Sequence, residues 1–151
     1  MTSRTRVLAA LDHRVPDRVP IDLGGFQTGI HRIAYENLLR HLGIRDAIEL
    51  LDPVQQIVKP CEAVLQRFRV DTRYVVAHGP DSFQGGIERN VRDGRLWHDL
   101  KDEFGVVWSM PEDQQLYMDI SHHPLAHASI DDLADYPFPR GDDLSLSLIH
   151  I

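Results

Sequence analysis

The sequence has a single cysteine, Cys61, so no disulfide forms within the chain and a reducing compartment, the cytoplasm, is the expected setting. It has no run of about 18 consecutive apolar residues, which a membrane-spanning helix requires. Its opening is charged at Arg4, Arg6 and Asp12, with no apolar stretch of signal-peptide length. Runs of like charge are also missing. With 23 acidic against 16 basic residues and a net charge of -7, the chain is poorly suited to a nucleic-acid groove or an anionic membrane surface, and small molecules are the expected partners. There is no internal repeat and no low-complexity tract. What is present, 42% apolar and 26% charged residues over 151 positions, suffices for one ordinary globular core.

Hydrophobic periodicity predicts a short helix over 3–11, with apolar residues at Val7, Leu8 and Leu11 ahead of Pro16. Asp17 to Gly25, with an apolar run bounded by a proline and the Gly24–Gly25 pair, reads as a short strand entering a tight loop. Ile30, Ile33, Ala34, Leu38 and Leu42 keep helical spacing, and Gly43 stands where a left-handed cap belongs. Asp52 and Pro53 open a second amphipathic stripe, Val54 to Phe68, predicted to be a helix kinked at Pro60 with Cys61 on its buried face. Val70 to Ala77 is the next β-rich run. Further on, Leu96–Asp99 and Phe104–Trp108 flank Lys101, Asp102 and Glu103 as an antiparallel hairpin, with another strand near 116–120. Trp97 and Trp108 are expected to be packing residues there. Ser129 caps a last short helix that Pro137 and Pro139 stop.

Strand, helix and strand at this spacing form the repeating unit of a parallel α/β sheet or barrel. The expected fold is α/β: a partial TIM (β/α)8 barrel, its N-terminal units carrying an inserted β-hairpin. A complete eight-unit barrel takes ~250 residues. The expectation is therefore an N-terminal fragment over 1–145. Residues 146–151, Leu-Ser-Leu-Ile-His-Ile, form an apolar end after a polar linker and match the in-frame translation of a sequencing transposase adapter, so they are expected to be an artefactual tail.

Arg6-Val7-Leu8-Ala9-Ala10-Leu11, Pro16-Asp17-Arg18-Val19-Pro20 and Asp22-Leu23-Gly24-Gly25 together resemble the opening of the uroporphyrinogen decarboxylase family. The closest resemblance is to its methyltransferase-like and uncharacterised bacterial branch. Glu62 to Phe68 with Val70-Asp71, and Asp102 to Trp108, continue it, so that it spans roughly residues 3 to 140. The resemblance implies a TIM barrel with its active site at the C-terminal strand ends. There Asp22 and His78 are the expected catalytic groups, and the loop of Gly24, Gly25, Gln27 and His31 is expected to bind substrate. Read from the residues alone, Asp22 is either a loop cap or a pocket acid, His78 has either a pocket role or a structural hydrogen bond, and His31 faces either pocket or solvent. The loop could also cradle an anion through its amides.

In the methyltransferase-like branch the reaction implied is methyl transfer involving a corrinoid, with zinc lowering the pKa of a thiol substrate and holding it as thiolate. The histidine and cysteines for that zinc come from a later part of the barrel. No cofactor is thus expected within these residues, with zinc and a corrinoid protein expected for a longer chain. The fragment alone is expected to be inactive. His122, His123 and His127 do not form a zinc motif, because Pro124 interrupts them and no glutamate is placed as a base. Porphyrinogen decarboxylation is an alternative, as is a non-catalytic protein that binds a tetrapyrrole, corrinoid or organic acid. The arginine that would grip propionates after the first strand is missing from Gly24 to His31, and His78-Gly79-Pro80 stands where the decarboxylases carry an aspartate.

Overall fold

The computed structural model describes residues 1–76, 83 and 85–140. The chain divides into two compact units, Met1–Tyr74 and Val75–Ile151.

The first unit opens with α1 (Ser3–Leu11), whose N-terminus is closed by the Thr2 hydroxyl accepting from the Thr5 amide at 3.2 Å. The face it buries is not the apolar stripe. Arg6 and Ala9 are buried while Leu8 and Leu11 are exposed, because two carboxylates draw the guanidinium inward. Arg6 Nε donates to Asp17 at 2.6 Å and Nη1 to Asp71 at 2.5 Å; Arg18 Nη1 donates to Asp71 at 2.7 Å, and the Ile21 amide adds a bond at 2.9 Å. Asp71 has no exposed side-chain surface. Burial alone would raise its pKa, but the Ile21 amide, the Ser3 hydroxyl and the Arg18 and Arg6 guanidiniums outweigh that and hold it well below the usual carboxylate range.

Next come β1 (Ile30–His31), α2 (Arg32–Leu42), β2 (Leu50–Asp52), β3 (Ile57–Val58) and α3 (Glu62–Arg67). The helix read around residue 38 is α2, and Gly43 ends it in the left-handed conformation at φ 66°. Its inner face supplies Tyr35 and Leu39, which pack with Val58 and Val64 as the core of this unit; Ile30, Leu50 and Cys61 lie against them. The Tyr35 hydroxyl accepts the Cys61 amide at 2.9 Å, so the buried ring has its polar end matched.

The predicted helix across Pro60 does not form over its first half. Asp52 Oδ1 takes the Val54 and Gln55 amides, making a turn, and Gln56 follows at φ 56°. Ile57 and Val58 then enter a sheet ordered β1-β3-β2, antiparallel throughout. Their β-branched side chains suit a central strand. Only beyond Pro60, which cannot donate within a helix, does the chain become helical as α3.

The partial barrel is overturned in the same way. Among the described residues the sheets are two, small and antiparallel, and the helices are four short ones with no β/α alternation. Neither expected barrel strand is a strand: Val19 to Leu23 and residues 70–76 have no regular secondary structure. They meet through one backbone bond, Asp71 N to Ile21 O at 2.8 Å, and the reciprocal donor, the Ile21 amide, is taken by the Asp71 carboxylate. A side chain thus occupies the group that would begin a ladder. The end of that run, Ala77, lies outside the described residues, as does the expected tail 146–151.

In the second unit the hairpin expected as an insertion is the middle of its own sheet: β4 (Ile87–Arg92), β5 (Arg95–Lys101), β6 (Val107–Pro111) and β7 (Asp119–His122), in sequential antiparallel order. Asp93 and Gly94, at φ 50° and 76°, make the two-residue turn between β4 and β5. Asp102 organises the next turn, accepting the Phe104 and Val106 amides and the Trp108 indole N–H. After β7 the Ser129 and Asp132 side chains cap α4 (Ile130–Ala134) reciprocally. No helix among the described residues is long and apolar enough to cross a membrane.

Candidate functional site

Beyond Ile21 the chain turns through Asp22, Leu23, Gly24 and Gly25, and the Gly24 amide closes the loop onto the Thr28 carbonyl at 3.1 Å. Gly24 is at φ 106°, and a Cβ there would meet Pro60 Cδ at 2.9 Å; a Cβ on Gly25 would stand 2.0 Å from the Tyr74 ring. The two glycines therefore let the loop lie against Pro60 and Tyr74. Phe26 and Gln27 project from it into solvent.

Asp22 holds this loop together. One carboxylate oxygen accepts the Tyr74 hydroxyl at 2.6 Å and the Thr28 hydroxyl at 2.8 Å, and the other accepts the Thr72 hydroxyl. Tyr74 and Thr28 are themselves 3.3 Å apart. Burial pushes the Asp22 pKa up, but the Thr72, Tyr74 and Thr28 hydroxyls and the Leu23 amide outweigh it and lower it below the ordinary carboxylate value. A carboxylate so surrounded by donors has no proton to give at neutral pH and is a weak base. Its role is that of a clamp on the loop from Asp22 to Thr28.

His31 caps α2: its Nδ1 accepts the Ile33 amide at 3.2 Å, which leaves the proton of the neutral ring on Nε2. The Arg32 amide goes to the Gln56 carbonyl at 2.8 Å. Two of the amides an anion would use at this helix terminus are therefore engaged. Asp22, Gly24, Gly25 and Gln27 share one turn, with His31 beginning the helix that follows. His78 lies outside the described residues.

Thr28, Thr72 and Tyr74, the partners of Asp22, were not singled out in the sequence. Thr72 and Tyr74 are 50 and 52 positions from it, and a hydroxyl that distant carries no local pattern. The second unit has an apolar groove of about 540 Å³ lined by Phe104, Val106, Pro124, Leu125, Tyr136 and Phe138, also without a sequence signal. Among the described residues no group of three or more His, Cys, Asp or Glu is arranged to hold a metal ion.

Replacing Gly25 by alanine is expected to displace Tyr74 from Asp22, because the added Cβ and the ring cannot share the same space. NMR shifts of Tyr74 and Thr28 should move together while those of Tyr35 stay in place. No family model, curated protein or solved structure matches this chain.

Proposed function

We propose that this chain serves a methyltransferase-like enzyme of the uroporphyrinogen decarboxylase family. Its own part is to hold a small substrate against the loop from Gly24 to His31. The reading rests on the sequence motifs and on one structural observation, not on a barrel. Residues that carry the resemblance, Arg6, Asp17, Arg18 and Asp71, join one ion network although Arg6 and Asp71 are 65 positions apart, and Asp22 lies just beyond it. A motif whose scattered polar residues meet in space is a motif with a job in the fold.

In this role Asp22 positions and does not transfer protons. It fixes Thr28 and Tyr74, which set the direction in which Phe26 and Gln27 are presented. The described residues do not fit a zinc site, so the role proposed for this chain takes no step through the metal. The Asp22 donors also favour a second reading, binding without turnover, because a saturated carboxylate supplies orientation and little acid–base chemistry.

Anaerobic absorbance of methylcobalamin with 2-mercaptoethanol separates these readings when this chain is carried within the longer protein that would supply the zinc ligands. Thiol-dependent demethylation that falls at least about tenfold in Asp22→Ala supports methyl transfer; a factor of ten corresponds to about 1.4 kcal/mol at the barrier. Saturable corrinoid or thiol binding without demethylation, weakened by the same substitution, supports the binding role. No binding and no turnover would overturn both.

A further inference from the structure

The two edges of the four-stranded sheet differ. On β7 the register with β6 shifts between Val107 and Trp108, an irregularity that blunts an edge. On β4 the pairing with β5 runs unbroken from Ile87 to Arg92, and every residue but Arg92 is exposed, Val91 at 70%. No described strand pairs with the outer side of β4. A regular, exposed edge without proline or bulge is a template for another strand.

From this edge we infer that two copies of the chain pair antiparallel through β4, with Asn90 on the two-fold axis. The two-residue Asp93–Gly94 turn makes Arg92 and Arg95 the first hydrogen-bonded pair of the hairpin. Alternation then turns the Asn90 and Glu88 amides toward β5, and those of Val91, Arg89 and Ile87 outward. Only registers that join outward-facing residues can bond. With Arg89 on the axis, like charges would meet directly. With Val91 on the axis, Arg89 would need Asp93 as an extended partner, and Asp93 is in the left-handed turn at φ 50°.

With Asn90 on the axis, Arg89 and Val91 exchange main-chain bonds between copies, and Glu88 stands opposite the second copy's Arg92. That arrangement also answers a charge conflict within one chain. Glu88 is directly across from Asp99, a like charge, on the same face of the sheet. Asp99 is matched by Asn90, Ser109 and Arg92. The second copy's Arg92 supplies a cation beside Glu88. The Arg92 side chain is 39% exposed, so it can lean toward a second carboxylate.

Sedimentation velocity on the 151-residue chain, from about 10 to 500 μM, tests this, because an interface of this size is weak. A monomer–dimer equilibrium is expected. V91P removes an outward amide without removing a bond to β5 and is expected to weaken association at least tenfold. E88R relieves the repulsion opposite Asp99 within one chain but sets arginine against Arg92 between copies, and the same loss is expected with the fold intact. Should V91P lose its near-ultraviolet tryptophan signal, E88R decides. A chain that stays monomeric at every concentration overturns the inference, as does either variant, folded, associating as tightly as the unsubstituted chain.

Discussion

Asp71→Ala is expected to unfold the first unit more readily than any other single truncation of a charged residue there. The carboxylate has no exposed surface and receives Arg6, Arg18 and the Ile21 amide. Its removal leaves the nearly buried Arg6 guanidinium with Asp17 alone and takes from Arg18 the only carboxylate it is paired with among the described residues. Breaking a buried charge network from one side costs about 3 to 5 kcal/mol, and a urea titration followed by circular dichroism should show a loss of that size. By contrast Lys59→Ala, which breaks an ion pair whose two side chains are both largely exposed, should shift the midpoint by a few tenths of a kcal/mol at most.

Acid is expected to produce the same result without a substitution. Asp71, Asp22 and Asp17 all have folded pKa values lowered from the ordinary carboxylate value, and Glu62 is held at about 2, chiefly by Arg73 with help from Gln66. The unfolded chain therefore takes up protons at a higher pH than the folded chain. Stability from these groups is fully present above the unfolded value, near pH 4, and is lost as the pH falls from there through the folded values. Urea midpoints should be flat between about pH 5 and 7 and fall steeply below about pH 4. The fall should be shallower in Asp71→Ala, which has already lost the most deeply buried contributor.

How far the fold was legible depended on whether the signal was local. Gly43 after α2, Ser129 before α4 and the hairpin around Asp102 were readable because each is decided by residues within a few positions. The barrel was not. Val19 to Leu23 and Val70 to Ala77 have strand-like composition, but the Asp71 side chain takes the Ile21 donor that a ladder would need. Ile57 and Val58 fit a helical stripe as well as a strand, and Asp52, through a turn, decides against the helix. Arg6 would ordinarily be assigned to the solvent face of α1, because its partners Asp17 and Asp71 lie 11 and 65 positions away.

The candidate site divides along the same line. Asp22 and its glycines stand out as a carboxylate and tight turn after an apolar run. Thr72 and Tyr74, which determine what that carboxylate can do, stand in a run that reads as a strand, and nothing local ties their hydroxyls to Asp22. The sequence left Asp22 open between a loop cap and a pocket acid, and its hydroxyl partners favour the cap.

The most direct measurement is the NMR titration of the Asp22 side-chain carboxyl in the folded chain. A clamp surrounded by the Thr72, Tyr74 and Thr28 hydroxyls predicts a midpoint below the ordinary aspartate value of about 3.9, with Thr28 and Tyr74 resonances shifting in step with it. A midpoint between about 5 and 7, with Thr28 and Tyr74 unmoved, is the behaviour of a working acid or base and would contradict the account.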